Sequence, residues 1–493
     1  MKHLLYTIIL FFFCTLYVFP ANTSSSTKSS GSAQKSAAAT PPEAEAAAEN
    51  PPTQAKTGST AVASGAPAQK VSSLEEQYRA TIQYGTETEI ATLIQTLKRE
   101  QLYYLDTDLI ALTQKTKNQA ILIGVWSFFG ERAKSGLEEK ALSVIDSWDT
   151  EKIEVVTAAI DYLGQVKALE AIESLETLID NEERSFMNGA FKALGRIAAA
   201  GNADQIAQFL IDYYTNRNPA EDLKRDIIIA VGETGLSDGI ALLSTIATNP
   251  DERVVLRTAA LESLTKLGEG LDAIMASVNA SDPSIRSTAI AALTAFSGQE
   301  VETAILESFR DSYYKTRMAA AKVAGERKLN AAVPYLQYRA ERDDVPAVKD
   351  EAIKALGIIG NSEALAVLES LFIERKTTDR VRLLSAEMLI KNSADTYVER
   401  LIFELDEAKK ANLTALYNGF LKVLGMAKTD KLEGLTRRFL RAGGIVEKSL
   451  ALDMIANNGF SALSDEVRLL TSDKNSGLAK KAQNTLETLV GIL

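Results

Sequence analysis

Reactive side chains are scarce in this chain, which limits the chemistry it could perform. Its only histidine is His3 and its only cysteine is Cys14, and both lie in an apolar N-terminal segment. The rest of the chain therefore has no residue for a histidine-dependent triad, a cysteine nucleophile, a Cys/His zinc site, a haem ligand or a disulfide. It also lacks the glycine motifs GxxxxGK[ST] and GxGxxG, which bind nucleotides. We predict no catalytic, cofactor-binding or metal-binding residues.

Basic side chains recur at nearly constant spacing through the middle and C-terminal parts of the chain. Consecutive members from Lys224 to Arg382 lie 29 to 33 residues apart. Such side chains bind carboxylates and the exposed carbonyl oxygens at helix ends. We call this set the basic row, and its members are Lys224, Arg257, Arg286, Arg317, Lys349, Arg382 and Lys448. The regular spacing indicates that each member occupies the same place in a repeated element.

The repeated element is predicted to be a pair of amphipathic helices. Each member of the basic row lies seven residues before an apolar residue, and such apolar residues recur at steps of 29 to 37 residues. They are Leu163, Leu194, Val231, Leu264, Leu293, Ala324, Leu356, Leu389, Leu424 and Ile455. Around them, apolar residues at i, i+3, i+4 and i+7 form two stripes separated by a short Gly, Asn or Asp break, a pattern typical of helices. One helix pair cannot bury its stripes alone, so the period predicts an all-α solenoid of stacked pairs.

The segment Asp282–Leu293 resembles the second-helix signature of the HEAT family. It reads Asp-Pro-Ser-Ile-Arg-Ser-Thr-Ala-Ile-Ala-Ala-Leu, and the match is best to the short bacterial repeats also found in phycobilisome-lyase-type proteins. The resemblance covers roughly residues 118–493 and implies a HEAT/armadillo-like superhelix of about eleven antiparallel helix pairs. Residues 71–117 carry a weaker helical pattern, which we interpret as an irregular helical N-terminal cap.

Two interpretations of the basic row stay open. In HEAT arrays such residues usually bond acidic residues or exposed carbonyls of the neighbouring repeat, and we favour this structural ladder. Asp282 with Arg286, and Asp379 with Arg382, also have the spacing for local pairing. The alternative is a partner-binding row for an acidic protein. That row would consist of Arg257, Arg286, Arg317, Lys349, Arg382 and Lys448.

Three other sets of residues have a structural and a functional interpretation. Each tyrosine pair should bury one ring in the core, and its second ring could be a surface interface anchor or merely amphipathic; the pairs are Tyr103–Tyr104, Tyr213–Tyr214 and Tyr313–Tyr314. The aromatic group is predicted to pack in the core of the first full repeat; it consists of Trp126, Phe128, Phe129 and Trp148. The recurrent glycines should allow close helix approach or end the first helix in a left-handed conformation; they are Gly164, Gly195, Gly232, Gly357 and Gly425.

Residues 1–21 are typical of an export signal. Lys2 supplies the positive start, and an almost wholly apolar run from Leu4 to Phe19 ends at Pro20–Ala21. Cleavage after Ala21 or retention as an N-terminal membrane anchor both remain open. Lipidation of Cys14 is disfavoured, because Phe13 is large and Cys14 lies inside the apolar run. Either outcome places the rest of the chain outside the cytoplasm.

Residues 22–70 are rich in Ser, Thr, Ala, Pro, Gly and Gln, a composition that predicts a disordered low-complexity linker. The chain that follows is acidic. Residues 71–493 carry 49 Lys and Arg against 62 Asp and Glu, a formal charge of −13. Nucleic-acid binding normally requires a basic surface, so we predict no nucleic-acid partner.

These patterns favour an exported scaffold or adaptor that binds other proteins through an extended solenoid surface. We expect a bacterial periplasmic location, with membrane contact only through residues 1–21 if they are not cleaved. One alternative is a structural component of a cell-envelope assembly. Another, implied only by the resemblance to the bilin-lyase branch, is a lyase-type enzyme.

Overall fold

The computed structural model describes residues 73–492, with side-chain surroundings given up to Leu489. The chain divides into two units between Lys70 and Val71, and the description concerns the second unit. The predicted signal or anchor (1–21) and linker (22–70) lie outside the described residues. Across residues 73–492 the regular secondary structure is helical, and no helix there combines the length and apolar character needed to span a membrane.

The helices form two layers that alternate along the chain. The odd-numbered helices are α1 (Leu74–Tyr84), α3 (Asp106–Lys115), α5 (Glu138–Asp146), α7 (Ile172–Asp180), α9 (Ala203–Asn216), α11 (Ser237–Thr248), α13 (Leu271–Val278), α15 (Gln299–Ser308), α17 (Val333–Arg342), α19 (Ser362–Ile373), α21 (Ala394–Lys410), α23 (Glu433–Ala442) and α25 (Ser464–Leu470). The even-numbered helices are α2 (Glu87–Glu100), α4 (Gln119–Gly130), α6 (Ile153–Val166), α8 (Arg184–Ala198), α10 (Glu221–Thr234), α12 (Val254–Leu267), α14 (Pro283–Ala292), α16 (Tyr314–Glu326), α18 (Pro346–Ile359), α20 (Asp379–Asn392), α22 (Thr414–Met426), α24 (Ile445–Asn458) and α26 (Ser476–Ile492).

Each odd helix packs against the even helix that follows it, and each even helix packs against the next even helix. We call the two sets the odd layer and the even layer. This arrangement confirms the predicted all-α solenoid of stacked helix pairs. The predicted number of about eleven pairs corresponds to α5–α26. The described part of the predicted cap, residues 73–117, is helical, but α1–α3 are regular helices and α2 packs against α4 within the even layer.

Local sequence explains where individual helices begin. Ser73 and Thr86 form capping boxes with Glu76 and Glu89, which satisfy the first free N–H groups of α1 and α2. Asp282 accepts hydrogen bonds from the first N–H groups of α14, and the proline that follows it has no N–H to satisfy.

The core runs between the two layers through the whole described array. All ten apolar repeat residues from Leu163 to Ile455 are at most 1% exposed, as expected for residues that bury the stripe of each helix pair. Leu356, in the last turn of α18, is fully buried. Neighbouring repeats therefore share one continuous apolar core, as the packing of a solenoid requires.

The recurrent glycines lie inside even helices at points of close approach. A Cβ on Gly164 would lie 2.8 Å from the Cα of Ala193, and a Cβ on Gly195 would lie 2.8 Å from the Cα of Ala230. The same holds against side chains of the next even helix for Gly232, Gly357 and Gly425. The close-approach prediction is confirmed, and the left-handed alternative is wrong for these glycines. Left-handed glycines instead end α10, α12, α18 and α24, at Gly235, Gly268, Gly360 and Gly459.

The aromatic group contributes to the core near its N-terminal end. Trp126 and Phe129 are fully buried and Phe128 is nearly so, which confirms their predicted packing role. Trp148 is half-buried and meets the ring of Phe186 edge-on at 6.3 Å. The guanidinium of Arg132 lies 4.1 Å from the centre of the Phe128 ring, so an intrachain cation already occupies this aromatic surface.

The tyrosine pairs do not behave uniformly. Tyr213 is buried and Tyr214 half-buried, which follows the amphipathic interpretation. Tyr103 and Tyr104 are both exposed, by 44% and 40%, so the expectation that one ring of each pair enters the core is wrong there.

Candidate protein-binding surface

The basic row lies at the junction between each odd helix and the even helix that follows. The Nε of Arg257 donates to the carbonyl of Ala247 at 3.0 Å, and the Nε of Arg382 donates to that of Phe372 at 2.9 Å. Both acceptors belong to the last turn of an odd helix. The last carbonyls of an α-helix lack donors within the helix, and a cation there also interacts favourably with the helix dipole. These two members of the row thus close the C-terminal ends of odd helices.

Lys349 makes an equivalent contact, because its Nζ donates to the carbonyl of Glu341 at 2.9 Å, at the end of α17. Arg286 instead bonds two carbonyls of the loop that follows α13, those of Ala280 and Ser281, both at 3.0 Å. A bond to a carbonyl at the end of an odd helix or in the loop after it thus recurs from Arg257 to Arg382, which explains the constant spacing there.

Several members of the row also reach forward to an acidic residue of the next helix pair. Arg317 donates to both carboxylate oxygens of Asp343 at 2.8 Å, and Arg382 donates to Glu404 at 2.9 Å. Lys448 makes a longer ion pair of 3.7 Å with Asp473. These contacts join consecutive repeats, as the structural-ladder interpretation expects.

The Arg286–Asp311 pair shows the electrostatic effect of this arrangement. Arg286 donates to the two carboxylate oxygens of Asp311 at 2.7 and 3.0 Å. The hydrogen bond from Arg286 lowers the pKa of Asp311, and the backbone N–H of Tyr313 adds to that shift against the opposing effect of burial. The local pairing predicted for Asp282 and Arg286 is wrong, because Asp282 caps α14 and the forward hydrogen bonds of Arg286 go to Asp311.

The burial of the row decides between its two interpretations at three positions. Arg257 and Arg317 are 6% exposed and Arg382 is 5% exposed, so a partner cannot reach them and the partner-binding alternative is wrong for them. Arg286, Lys349 and Lys448 are half-buried and engaged in the intrachain contacts above. Lys224 is also half-buried, with its Nζ 5.9 Å from the centre of the Tyr214 ring.

A different surface offers an accessible apolar site. A cavity of about 1120 Å³ is lined by residues of four consecutive even helices, α18, α20, α22 and α24. We call it the C-terminal groove. Its apolar lining consists of Leu383, Leu384, Ala415, Gly419, Val423, Gly425, Met426 and Leu450. Met426 is 48% exposed, and Leu383, Leu384 and Leu450 are half-buried, so the lining is open to solvent.

Two glycines of α22 make this surface concave. A Cβ on Gly419 would collide with the side chain of Leu383, and a Cβ on Gly425 would lie 2.8 Å from Cδ1 of Leu450. Leu383 of α20 and Leu450 of α24 therefore lie on either side of α22, where the two glycines have no side chains to fill the space between them.

Charged residues surround the groove, and nearly all of them have a partner. The Nε of Arg380 donates to Asp350 at 2.9 Å, and Glu387 pairs with Lys391 at 2.6 Å. The other two pairs are Lys354–Glu351 at 3.4 Å and Asp453–Lys481 at 2.6 Å. Lys422 is exposed, and it is the one charged lining residue that forms no hydrogen bond or ion pair with the part of the chain that the structure describes.

The sequence interpretation missed the groove, although a signal was present. Leu384 and Leu450 lie five residues before the apolar repeat residues Leu389 and Ile455. Most other repeats have a small or polar residue at this position, such as Asp226 or Thr288. Large apolar residues at a repeat position that is otherwise small or polar thus mark the groove.

No metal-binding arrangement accompanies these surfaces. Within residues 73–492, no group of three or more His, Cys, Asp or Glu side chains is placed to hold a metal ion.

Comparison with known structures finds matches at low sequence identity. The karyopherin Kap121p bound to the extreme C-terminus of the protein phosphatase Cdc14p is 14% identical, with a TM-score of 0.46, over 84% of this chain and 53% of that chain. Importin beta is 11% identical, with a TM-score of 0.46, over 84% of this chain and 67% of that chain. Human deoxyhypusine hydroxylase is 17% identical, with a TM-score of 0.24, over 53% of this chain and 98% of that chain. The chain thus spans about half the length of the Kap121p structure it matches.

Family membership rests on the sequence itself. No curated protein matches the chain significantly. The model of the spirochaete HEAT repeat proteins, in contrast, matches residues 82–485, most of the described array. The match begins before residue 118, in agreement with the packing of α2 into the even layer. The chain belongs to the spirochaete HEAT repeat protein family.

Proposed function

We propose that this protein is an exported scaffold or adaptor that binds another protein in the C-terminal groove. The observation that carries the proposal is the open apolar lining across α20, α22 and α24, where side chains of three repeats form one concave surface. Contiguous exposed apolar surface rimmed by polar groups is typical of protein–protein interaction sites. The solenoid supplies the rigid support, since each even helix is held by its neighbours and by its odd partner.

The export part of the proposal rests on residues 1–21 and on the absence of cysteine from the rest of the chain. A positive start followed by an apolar run and a helix break is typical of a secretory signal. The low-complexity composition of residues 22–70 suits a spacer between a membrane or wall and the repeats. We propose a periplasmic location for the repeats, with residues 1–21 either removed or retained as a tether.

Site-specific photo-crosslinking in cells tests the binding site. The full chain would carry a photo-reactive amino acid at Asn418, an exposed residue of the groove on α22. The matched control would carry it at Ser287, which occupies the equivalent repeat position on α14 outside the groove. We expect Asn418 to yield a discrete protein adduct that the control does not yield.

Two further measurements complete this test. The adduct should disappear when Met426 is changed to Glu, because a charge on the exposed lining opposes burial by a partner. Cell fractionation with protease treatment should find the repeats outside the cytoplasm. The same adducts from Asn418 and Ser287, or from neither, would contradict the groove as the binding site, and a cytoplasmic location would contradict export.

A further inference from the structure

We infer that the C-terminal groove binds an amphipathic helical segment that places apolar side chains on the lining and a carboxylate against Lys422. This inference rests on the proposed function, and it adds the chemistry of the partner. It draws on three features of the groove: its apolar lining, its charge and the helices that form it.

The apolar lining requires apolar side chains on the partner. Leu383 and Leu450 flank the glycines of α22, and Met426 lines the groove with nearly half of its surface in contact with solvent. Covering these atoms removes apolar surface from water, which is the main driving force of protein association. The unbranched side chain of Met426 can also adjust to the shape of the partner.

The charge of the groove requires a carboxylate. Asp350, Glu387 and Asp453 are each neutralised by a neighbouring cation, and Lys354 is neutralised by Glu351. The charge of Lys422 is left without a partner within the described residues. A carboxylate placed at the centre of α22 would pair with Lys422, whereas a cation placed there would be repelled by it. Complementary charge of this kind sets specificity and orientation at an interface.

The architecture favours a helix over an extended strand. The groove is formed by four helices whose backbone hydrogen bonds are satisfied internally, so it offers no strand edge that could pair with an extended backbone. A helical partner satisfies its own backbone groups and needs only side-chain contacts. Three spacings between packed helices of about 9 Å each give a span of roughly 27 Å from α18 to α24. A helix of about 18 residues covers that length at 1.5 Å per residue.

A displayed library of random 20-residue peptides, selected on the full chain, tests the inference. We expect recovered peptides to carry apolar residues at i, i+3 or i+4 and i+7, together with an Asp or Glu at one fixed position beside that stripe. On the variant Lys422→Glu, affinity for these peptides should fall on the order of tenfold, and new selections should prefer Lys or Arg at the same position. The control Lys315→Glu reverses an exposed charge on α16 outside the groove and should leave binding unchanged.

The variant Met426→Glu identifies peptides that bind in the groove. Groove-dependent peptides without a preferred carboxylate, or with unchanged affinity for Lys422→Glu, would overturn the assignment of Lys422. Groove-dependent peptides that are extended or proline-containing would overturn the helical partner. A library without any groove-dependent binder would also overturn the inference. The proposed function would then depend only on the Asn418 adduct in cells, so the two failures are distinguishable.

Discussion

Arg317 donates two hydrogen bonds of 2.8 Å to Asp343, a residue 26 positions later that is only 3% exposed. The same guanidinium also donates to the carbonyls of Asp311 and Ser312, at 3.0 and 3.2 Å. One buried side chain therefore joins the loop before α16 to the loop before α18. Burial alone would raise the pKa of Asp343, but the hydrogen bonds from Arg317 and from the Val345 N–H outweigh it and lower that pKa.

Loss of Arg317 should destabilise the array strongly. Arg317→Ala leaves Asp343 buried beside Arg339 alone, and breaking a buried ion pair by removing one partner costs about 3–5 kcal/mol. The free energy of unfolding from urea titration measures this effect. The control Lys315→Ala, on the exposed surface of the same helix, should change it by less than about 0.5 kcal/mol. Equal effects of the two substitutions would contradict a structural role for the pair.

The substitution Leu356→Asp should destabilise the array at α18 and uncouple the segments on either side of it. The substitution places an unpaired carboxylate at a fully buried position of α18, which costs several kcal/mol. Because each repeat is stabilised mainly by its neighbours, the flanking segments should then unfold in separate transitions. Calorimetry detects this as a split or broadened melting peak. The control Lys354→Asp alters an exposed residue of the same helix, and a single unshifted transition for Leu356→Asp would contradict its core position.

Two glycine-to-alanine substitutions should act in opposite directions. In Gly195→Ala the new Cβ would lie 2.8 Å from the backbone of Ala230, so the helices must separate, at a cost of about 1–3 kcal/mol. In Gly434→Ala the new Cβ meets nothing within 4 Å, and the change should stabilise α23 by about 0.5–1 kcal/mol. Thermal melting of both variants provides the comparison. Destabilisation by both would show that helix approach at Gly195 is not the cause.

Acid should weaken the Arg286–Asp311 contact. The folded pKa of Asp311 is lowered, so its contribution to stability is present above the unfolded value near 3.9. That contribution is lost as the pH falls from there through the folded pKa, because the unfolded state binds the proton first. The variant Asp311→Asn should be less stable than the wild type at neutral pH, and the difference should shrink on acidification below pH 4. A constant difference in melting temperature across this range would contradict the assignment.

The sequence was sufficient to predict the repeats because their signal is local. The apolar residue of each repeat, such as Leu264 or Leu356, lies in a helical stripe that can be recognised without knowing its neighbours. The type of contact that the basic row makes with the preceding odd helix or the loop after it was also predictable, because identical placement in successive helices implies one shared role.

Contacts between separate loops could not be predicted in the same way. Nothing in the local sequence around Arg286 selects Asp311 over Asp282, and the choice depends on how the next repeat stacks. The groove is a similar case. Its shape requires Leu383 and Leu450, 67 residues apart, to stand beside Gly419 and Gly425 of α22, a relationship that exists only in the folded array.

The glycine contacts within the even layer also determine how the protein deforms under load. At Gly164 and Gly195 the next helix touches the glycine with its backbone, so the joint has no side chain that could change rotamer and yield. In the repeats of α12 and α14 the equivalent residues are Thr265, which donates to the carbonyl of Leu261 in its own helix, and Thr294, which follows α14 and donates to Glu326 of α16. We therefore expect mechanical compliance to be uneven along the array. A bending force should be taken up more readily around α12–α16 than at the backbone contacts that join α6 to α8 and α8 to α10.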